Sequence, residues 1–161
     1  MVPADVFALA LTRRGFTLAE LLVVMSIVGA LAAATTPWLI TYWRAATLKA
    51  AAEEMVTGLN RGRQLAIAQA QRVCVEVTGN RYRYRLSPAG GNACAGAPWT
   101  GPGTDLTGFF RLANNAGLTT NVNPVFDYLG AANPGATLTV TNPQGGATRN
   151  VVVSPSGRVQ F

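Results

Sequence analysis

Residues 14–24 read RGFTLAELLVV and stand at the start of the longest apolar stretch in the chain. Between residues 21 and 34 this stretch contains no charged side chain. A helix over residues 16–40 is long enough to cross about 30 Å of hydrocarbon with some tilt. The sequence therefore predicts one membrane-spanning helix that begins close to residue 16.

Two arginines, Arg13 and Arg14, precede the apolar stretch, and the small residue Gly15 separates them from it. Basic residues beside an apolar segment stay on the cytoplasmic side of a membrane. A conventional secretory signal has its small-residue cleavage site after the apolar core, whereas here the small residue lies before it. We therefore expect residues 1–15 to be a cytoplasmic leader of a different kind.

Glu20 is the one charged side chain within residues 16–40. An ionised carboxylate near the centre of a membrane helix costs about 2.5–3.5 kcal/mol and is seldom kept without a partner. Glu20 lies four residues after Phe16, or about 6 Å along a helix, which places it near one end of the span. The sequence leaves two interpretations: a carboxylate that needs a cation from elsewhere, or an interfacial glutamate on an ordinary anchor helix.

The order Gly15, Phe16 and then Glu20 before an aliphatic run resembles the class III (prepilin) signal. This resemblance implies that a prepilin peptidase cuts between Gly15 and Phe16 and that the new amino group of Phe16 is methylated. It also implies that Glu20 neutralises the Phe16 ammonium of a neighbouring subunit, so that other pilins or pseudopilins are the partners. The implied location is the bacterial inner membrane, single-pass, with the head in the periplasm, and afterwards a periplasmic or surface filament.

Pro37 interrupts the predicted helix, because proline lacks a backbone N–H and clashes with the preceding turn. We expect a kink or local unwinding there, and a proline at this distance from the cleavage site also resembles pilins. The aromatic residues Trp38, Tyr42 and Trp43 follow it. They indicate either an interfacial belt or simple core aromatics.

Helical spacing of apolar residues continues beyond the span and predicts an amphipathic half-helix over residues 41–72. The stripe consists of Leu48, Ala52, Met55, Leu59, Ala66 and Ala70. Residues 73–161 are predicted to form a β-rich head against this stripe. The expected fold class is α+β, with a long N-terminal helix packed on a small antiparallel sheet.

Two alternating runs, residues 73–78 and 81–86, flank Gly79-Asn80 and predict a β-hairpin. The expected register pairs Val73 with Leu86, Val75 with Tyr84, Glu76 with Arg83, Val77 with Tyr82 and Thr78 with Arg81. The apolar members and tyrosines then share the face that covers the helix. Further short strands are expected over residues 109–112, 125–129, 137–141 and 150–153, followed by a turn and a final strand, while residues 87–108 form a long loop.

The chain contains two cysteines, Cys74 on the first predicted strand and Cys94 in the long loop. A lone pair in a head that faces an oxidising compartment predicts a disulfide. The absence of histidine excludes imidazole catalysis and a His-ligated metal. Because no nucleophile–base pair or metal cluster is evident either, we expect no enzyme activity, no cofactor and no metal.

Residues 63–68, 125–130 and 154–161 resemble the GspH/FimT-like minor pseudopilin family. The resemblance implies a structural minor pseudopilin of a type II secretion filament that assembles through its N-terminal helix. The alternative is a minor type IV pilin involved in DNA binding and uptake. Some members of the family contact DNA near a terminal Gly-Arg-x-Arg motif, and the matching Gly157-Arg158-Val159-Gln160 lacks the second arginine.

The DNA-binding alternative depends on basic residues, which are in excess: the chain has 13 Lys and Arg against 7 Asp and Glu. The candidate DNA contacts are Arg81, Arg83, Arg85, Arg149 and Arg158. Three arginines in alternation along one strand could bind phosphates. The simpler interpretation is a solvated strand face with a Glu76–Arg83 pair.

Overall fold

The structure is a computed structural model that describes residues 15–87 and 93–161. The predicted leader up to Arg14 and part of the predicted long loop lie outside the described residues. The chain divides into two compact units that meet between Ile40 and Thr41. One α-helix, α1 (Leu18–Gln69), contributes residues to both units.

The start of α1 is fixed by Thr17. Its Oγ1 accepts a hydrogen bond from the backbone N–H of Glu20 at 3.2 Å, which satisfies one of the free donors at a helix start. The spacing of Thr17 and Glu20 is that of a capping box. This signal was present in the sequence, and it explains why the helix begins at Leu18 and not at Phe16.

In the first unit, every side chain of α1 up to Ile40 is exposed. An 18-residue window of α1 has a mean hydropathy of 2.1, and none of it is buried. By length and composition, α1 can cross a membrane. An apolar surface of this extent needs a cover of lipid or of other helices, because water does not solvate it well.

α1 continues as a helix through Pro37, so the local unwinding expected at this residue does not occur in the structure. The hydroxyls of Thr35 and Thr36 donate to the carbonyls of Leu31 and Ala32, at 3.1 and 2.7 Å. Such back-bonding satisfies the hydroxyls in an apolar setting and often bends helices. A kink at Pro37 stays a prediction.

In the second unit, α1 buries a narrow stripe of small and apolar residues. The buried residues are Ala51, Ala52, Met55, Gly58, Leu59, Gly62 and Ala66. This confirms the predicted stripe from Ala52 to Ala66, and Leu48 packs against the core while partly buried. Ala70 was predicted wrongly: it is exposed and has a φ of 50°, because the helix has already ended at Gln69.

The first sheet is built on the hairpin of β1 (Arg72–Thr78) and β2 (Arg81–Ser87). Every predicted pair of this hairpin is present, from Val73 with Leu86 to Thr78 with Arg81. Three short strands complete the sheet: β3 (Ala97–Pro98) and β4 (Phe109–Arg111) pair with β2, and β6 (Val125–Phe126) pairs with β1, all antiparallel.

The second sheet has the order β5-β7-β8-β9 and is also antiparallel. Its strands are β5 (Gly117–Thr120), β7 (Ala136–Thr141), β8 (Thr148–Val153) and β9 (Val159–Gln160). The sequence predicted β7, β8 and β9 and missed β5. The strand expected over residues 125–129 stops at Phe126, because Asp127 Oδ1 accepts hydrogen bonds from the N–H groups of Leu129 and Ala131 and forms a turn.

The two tyrosines of β2 pack directly on the backbone of α1. The hydroxyl of Tyr84 donates to the Gly58 carbonyl at 2.7 Å in a buried position. A Cβ at Gly58 would lie 2.6 Å from the Tyr82 hydroxyl oxygen, and one at Gly62 would lie 3.1 Å from the Tyr84 ring. The two glycines therefore provide the space that the rings occupy. They cost about 1 kcal/mol each in helix propensity relative to alanine.

Cys74 and Cys94 form the predicted disulfide, with an S–S distance of 1.95 Å and a Cα–Cα distance of 5.1 Å. Cys74 is fully buried on β1 against Val125. Arg85 Nη1 adds a hydrogen bond to the Gly96 carbonyl at 3.0 Å. The segment around Cys94 is therefore attached to both strands of the hairpin.

The contact between α1 and β2 yields a stability prediction. Gly58→Ala should lower the free energy of unfolding of the head by about 1–3 kcal/mol, because the added Cβ forces the Tyr82 ring out of its place. The measurement is urea unfolding of the full chain in detergent, followed by the near-UV circular dichroism of the buried tyrosines.

Gly29→Ala is the matched control, since nothing lies within 4 Å of a Cβ at Gly29. It should leave the unfolding midpoint of the head unchanged. An equal or higher midpoint for Gly58→Ala would show that helix propensity dominates at this position and that the tyrosine contact is not tight.

Candidate functional site

The segment around the predicted cleavage bond is not helical. Gly15, Phe16 and Thr17 precede α1 and have no regular secondary structure. Phe16 is 78% exposed, and a Cβ at Gly15 would meet no atom within 4 Å. The predicted cleavage bond between Gly15 and Phe16 therefore lies outside the helix.

Glu20 lies in the first turn of α1 and is exposed. Among residues 15–87 and 93–161, no ion pair includes its carboxylate. The carboxylate also lies at the positive end of the helix dipole, where a negative charge is favourable. The structure therefore leaves Glu20 available to a cation of another chain, although the capping-box spacing with Thr17 gives it a local role as well.

The arginines of β2 lie together on the face opposite Tyr82 and Tyr84, as the alternation of β2 requires. Glu76 on β1 accepts hydrogen bonds from Nε of Arg83 at 2.6 Å and Nε of Arg85 at 2.5 Å. This confirms the Glu76–Arg83 pair expected for a solvated strand face and adds Arg85 to it. The three side chains are half-buried, so they are less free than surface arginines.

Phe109 on β4 lies beside the same row. The guanidinium carbon of Arg81 lies 5.0 Å from the Phe109 ring centroid and that of Arg83 lies 4.4 Å from it. Such cation–π contacts hold the planar guanidinium groups in place. The row keeps a net positive charge, because Glu76 is the one carboxylate that pairs with it in the described part of the chain.

The pKa of the Glu76 carboxyl lies below its usual value. The hydrogen bond from Arg83 is the largest cause, Arg85 acts in the same direction, and partial burial opposes both. Glu76 is therefore ionised in the folded head over the neutral pH range. Its charge contributes to the stability of the hairpin face and is not poised for proton transfer.

Arg149 lies in the second sheet and Arg158 in a turn beside it, so the five predicted DNA contacts do not lie on one strand face. Arg149 is half-buried on β8, and its guanidinium carbon lies 5.2 Å from the Phe161 ring centroid. Arg158 is exposed in the turn between β8 and β9.

The glycine of the terminal Gly-Arg motif has a packing role. Gly157 has a φ of 77°, and its N–H donates to the Ser154 carbonyl at 2.8 Å. A Cβ at this position would collide with the carbonyl oxygen of Gly130. The turn therefore requires glycine for its conformation and for its contact with the loop after β6, independently of any ligand that Arg158 binds.

Two titratable side chains on β2 are buried in the core of the head. Burial raises the pKa values of the Tyr82 and Tyr84 hydroxyls, so both remain protonated and serve as packing and hydrogen-bonding groups. Within the described ranges, no group of three or more His, Cys, Asp or Glu residues could hold a metal ion.

One surface feature was missed by the sequence interpretation. A cleft of about 540 Å³ lies in the second unit between α1 and the β7–β8 turn. We call it the basic cleft; it is lined by Thr41, Arg44, Ala45, Leu48, Lys49, Ala147, Thr148 and Arg149. The side-chain amide of Asn142 donates to the Arg44 carbonyl at 2.9 Å and ties the turn to the helix. No local pattern joins residues so far apart in sequence.

A long helix with an apolar exposed half, followed by a half that packs on small antiparallel sheets, defines a pilin-like α+β protein. Residues 11–36 match the family model of the prokaryotic N-terminal methylation motif, and residues 51–157 match that of the Type II transport protein GspH. The chain therefore belongs to the GspH family. A sequence comparison with curated proteins gave no match.

Two solved structures share the fold. The type IV minor pilin FimU of Pseudomonas aeruginosa (strain PAO1) is 20% identical, with a TM-score of 0.50 over 70% of this chain and 90% of FimU. The minor pseudopilin EpsH from the type 2 secretion system of Vibrio cholerae is 14% identical, with a TM-score of 0.51 over 70% of this chain and 94% of EpsH. At these identities the likeness concerns the fold alone.

The Glu76 site yields a pH prediction. Because its pKa is lowered in the folded head, Glu76 stabilises the fold above the usual value of 4.5, and this stabilisation is lost as the pH falls through the lower, folded value. Glu76→Gln should therefore lower the urea midpoint at neutral pH. The difference from the parent chain should shrink as the pH falls below 4.5.

Glu53→Gln is the matched control, because Glu53 is exposed and pairs with Lys49 at 3.7 Å on the surface of α1. Exposed pairs contribute little, so this variant should follow the parent chain at every pH. A deficit of Glu76→Gln that stays constant between neutral and acidic pH would contradict the ion-pair explanation.

Proposed function

We propose that this protein is a structural minor pseudopilin of a type II secretion filament, and that it assembles through the N-terminal half of α1. The observation that best supports this proposal is the exposed, apolar half of α1, which has one carboxylate, Glu20, in its first turn. A surface of this kind is suited first to a bilayer and then to a bundle of similar helices. Membership of the GspH family supports this assignment.

We propose further that a prepilin peptidase cuts between Gly15 and Phe16 and that the new amino group of Phe16 is methylated. The match to the methylation motif over residues 11–36 supports this step. So does the position of the bond, which lies in the non-helical segment before Leu18. The leader would remain in the cytoplasm, and the head would lie in the periplasm.

Cleavage creates an ammonium group at the positive end of the helix dipole. A cation is unfavourable there, and transfer into an apolar helix bundle would raise its free energy further. The Glu20 carboxylate of a neighbouring subunit can offset both effects, because it has no ion-pair partner among the described residues of its own chain. This reciprocal pairing would set the axial position of each helix relative to the next.

The assembly proposal predicts the behaviour of Glu20 variants. Glu20→Gln and Glu20→Ala should reduce recovery of the chain in sheared filaments by more than about tenfold, because removing one partner leaves the other charge unpaired in the helix bundle. Glu20→Asp, which keeps the charge, should recover part of the loss. The measurement is the ratio of filament-bound to membrane-bound chain on immunoblots.

Glu53→Gln removes the same charge from the exposed face of the same helix and should leave filament recovery unchanged. The intact mass of the membrane-bound variants should show normal cleavage and methylation, which separates assembly from processing. Equal filament recovery for Glu20→Gln and Glu53→Gln would contradict the charge-pairing role.

The second candidate function is that of a minor type IV pilin that binds DNA during uptake. The observation in its favour is the row of Arg81, Arg83 and Arg85 on one strand face, which keeps a net positive charge beside Glu76. The pairing of Glu76 with Arg83 and Arg85 weakens this candidate, because bound phosphate would compete with an existing ion pair. The missing second arginine after Arg158 weakens it as well.

A gel-shift assay separates the two functions. The full chain in detergent is mixed with a short DNA duplex at about 50 mM and about 200 mM salt, since binding through 6–10 phosphate contacts weakens roughly 10³- to 10⁵-fold over this range. The secretion proposal predicts no shift at either salt concentration. A salt-sensitive shift that Arg81→Gln weakens more than Arg44→Gln does would favour the DNA function.

A further inference from the structure

The basic cleft combines cations with apolar walls. Three of its lining residues are basic: Arg44 and Lys49 on α1 and Arg149 on β8. Ala45, Leu48 and Ala147 contribute apolar surface beside them. A site with this lining is suited to an amphipathic ligand that carries a negative charge on one part and carbon chains on another.

The cations of the basic cleft are poorly neutralised by the protein. In the part of the chain that the structure describes, no carboxylate lies within ion-pair distance of the guanidinium of Arg44 or Arg149. Lys49 pairs with Glu53 at 3.7 Å, but their side chains are 63% and 53% exposed, so water screens this pair. The cleft therefore has a net positive charge that favours an anion.

The position of the cleft along the chain indicates which anion is within reach. Arg44 follows the end of the predicted span, Ile40, by four residues, or about 6 Å of helix rise. The headgroup layer on each side of a bilayer is roughly 5–8 Å thick.

The aromatic residues around the end of the span support this depth. Trp38, Tyr42 and Trp43 are 70%, 59% and 64% exposed. Tryptophan and tyrosine are enriched at the level of lipid headgroups. Such exposed rings are suited to a headgroup layer around the end of the predicted span, and Arg44 follows Trp43 directly in the sequence.

We propose that the basic cleft binds the phosphate of an anionic phospholipid while the subunit is anchored in the bilayer. The inference rests on the proposed membrane-anchored state that precedes assembly. Arg44 and Arg149 provide planar donors for bidentate contacts to phosphate oxygens, and Lys49 provides a third positive charge. The glycerol and first acyl carbons lie against Ala45, Leu48 and Ala147, which a free phosphate ion would leave uncovered.

This contact would hold the base of the head at the membrane surface until the subunit enters a filament. Extraction of the helix from the bilayer would then also break the lipid contact. The cleft would therefore bias the subunit toward its membrane-bound state, and partners that assemble the filament would have to overcome this bias.

Native mass spectrometry of the full chain in detergent tests the proposal. The chain is titrated with phosphatidylglycerol or with phosphatidylcholine of the same acyl chains, and the bound lipid is counted. Phosphatidylglycerol should bind in preference. Arg149→Gln should weaken its binding by about fivefold, the effect of one basic side chain near an anionic lipid surface, and Arg44→Gln should act similarly.

Arg158→Gln is the matched control, because Arg158 is an exposed arginine in the turn after β8 and does not line the cleft. It should bind lipid like the parent chain. Equal binding of the two lipids, or equal losses for Arg149→Gln and Arg158→Gln, would overturn the proposal. Displacement of phosphatidylglycerol by millimolar inorganic phosphate or by a short DNA duplex would assign the cleft to those ligands and would overturn it too.

The same variants distinguish a failure of this inference from a failure of the proposed function. Arg149→Gln should remain in the membrane fraction and enter filaments at least as well as the parent chain, because the pairing of Glu20 with Phe16 is unaffected. Loss of lipid preference with normal filament recovery bears on the cleft alone. A parent chain that never integrates into membranes would contradict the proposed function, and with it the membrane-anchored state on which this inference rests.

Discussion

The hydrogen bond from the Tyr84 hydroxyl to the Gly58 carbonyl lies at the contact on which the head depends. It requires that the β2 strand lie directly on the backbone of α1, and this approach is possible because Gly58 and Gly62 have no side chains. The resulting packing buries Tyr82 and Tyr84 against the helix and leaves the arginines of β2 on the opposite face. The seating of β2 on α1 therefore depends on two glycines in a helix.

The two halves of α1 form one continuous helix but differ in how their apolar side chains are covered. The half after Thr41 alternates buried and exposed faces, so it is covered by its own head. The half before Ile40 has no buried face within the described structure, and its apolar surface needs a cover from outside the chain. In the proposed assembly, Glu20 in the first turn suits both covers, because it would lie near the headgroups in a bilayer and near a neighbouring ammonium in a filament.

The features that could be predicted from the sequence are those that residues close together along the chain encode. The register of the β1–β2 hairpin followed from strand alternation and the Gly79-Asn80 turn, and the disulfide followed from a lone cysteine pair. Sequence reasoning missed Gly58 and Gly62 as core positions, because glycine has no hydropathy signal and its role appears only when the tyrosines of β2 are in place. It missed the basic cleft because Arg44 and Arg149 line one cleft only when the β7–β8 turn lies against α1.

The distribution of arginine explains why net charge alone could not assign a ligand. Arg83 and Arg85 are paired with Glu76, and Arg61 lies 5.1 Å from the ring centroids of Trp99 and Phe110, so these guanidinium groups act largely as structural links between elements. Arg44 and Arg149 lack such carboxylate partners among the described residues. An anion that binds Arg44 or Arg149 displaces no carboxylate of the described residues, whereas an anion on the β2 face competes with Glu76 for Arg83 and Arg85. The basic cleft therefore offers a ligand two guanidinium groups that have no carboxylate partner among the described residues.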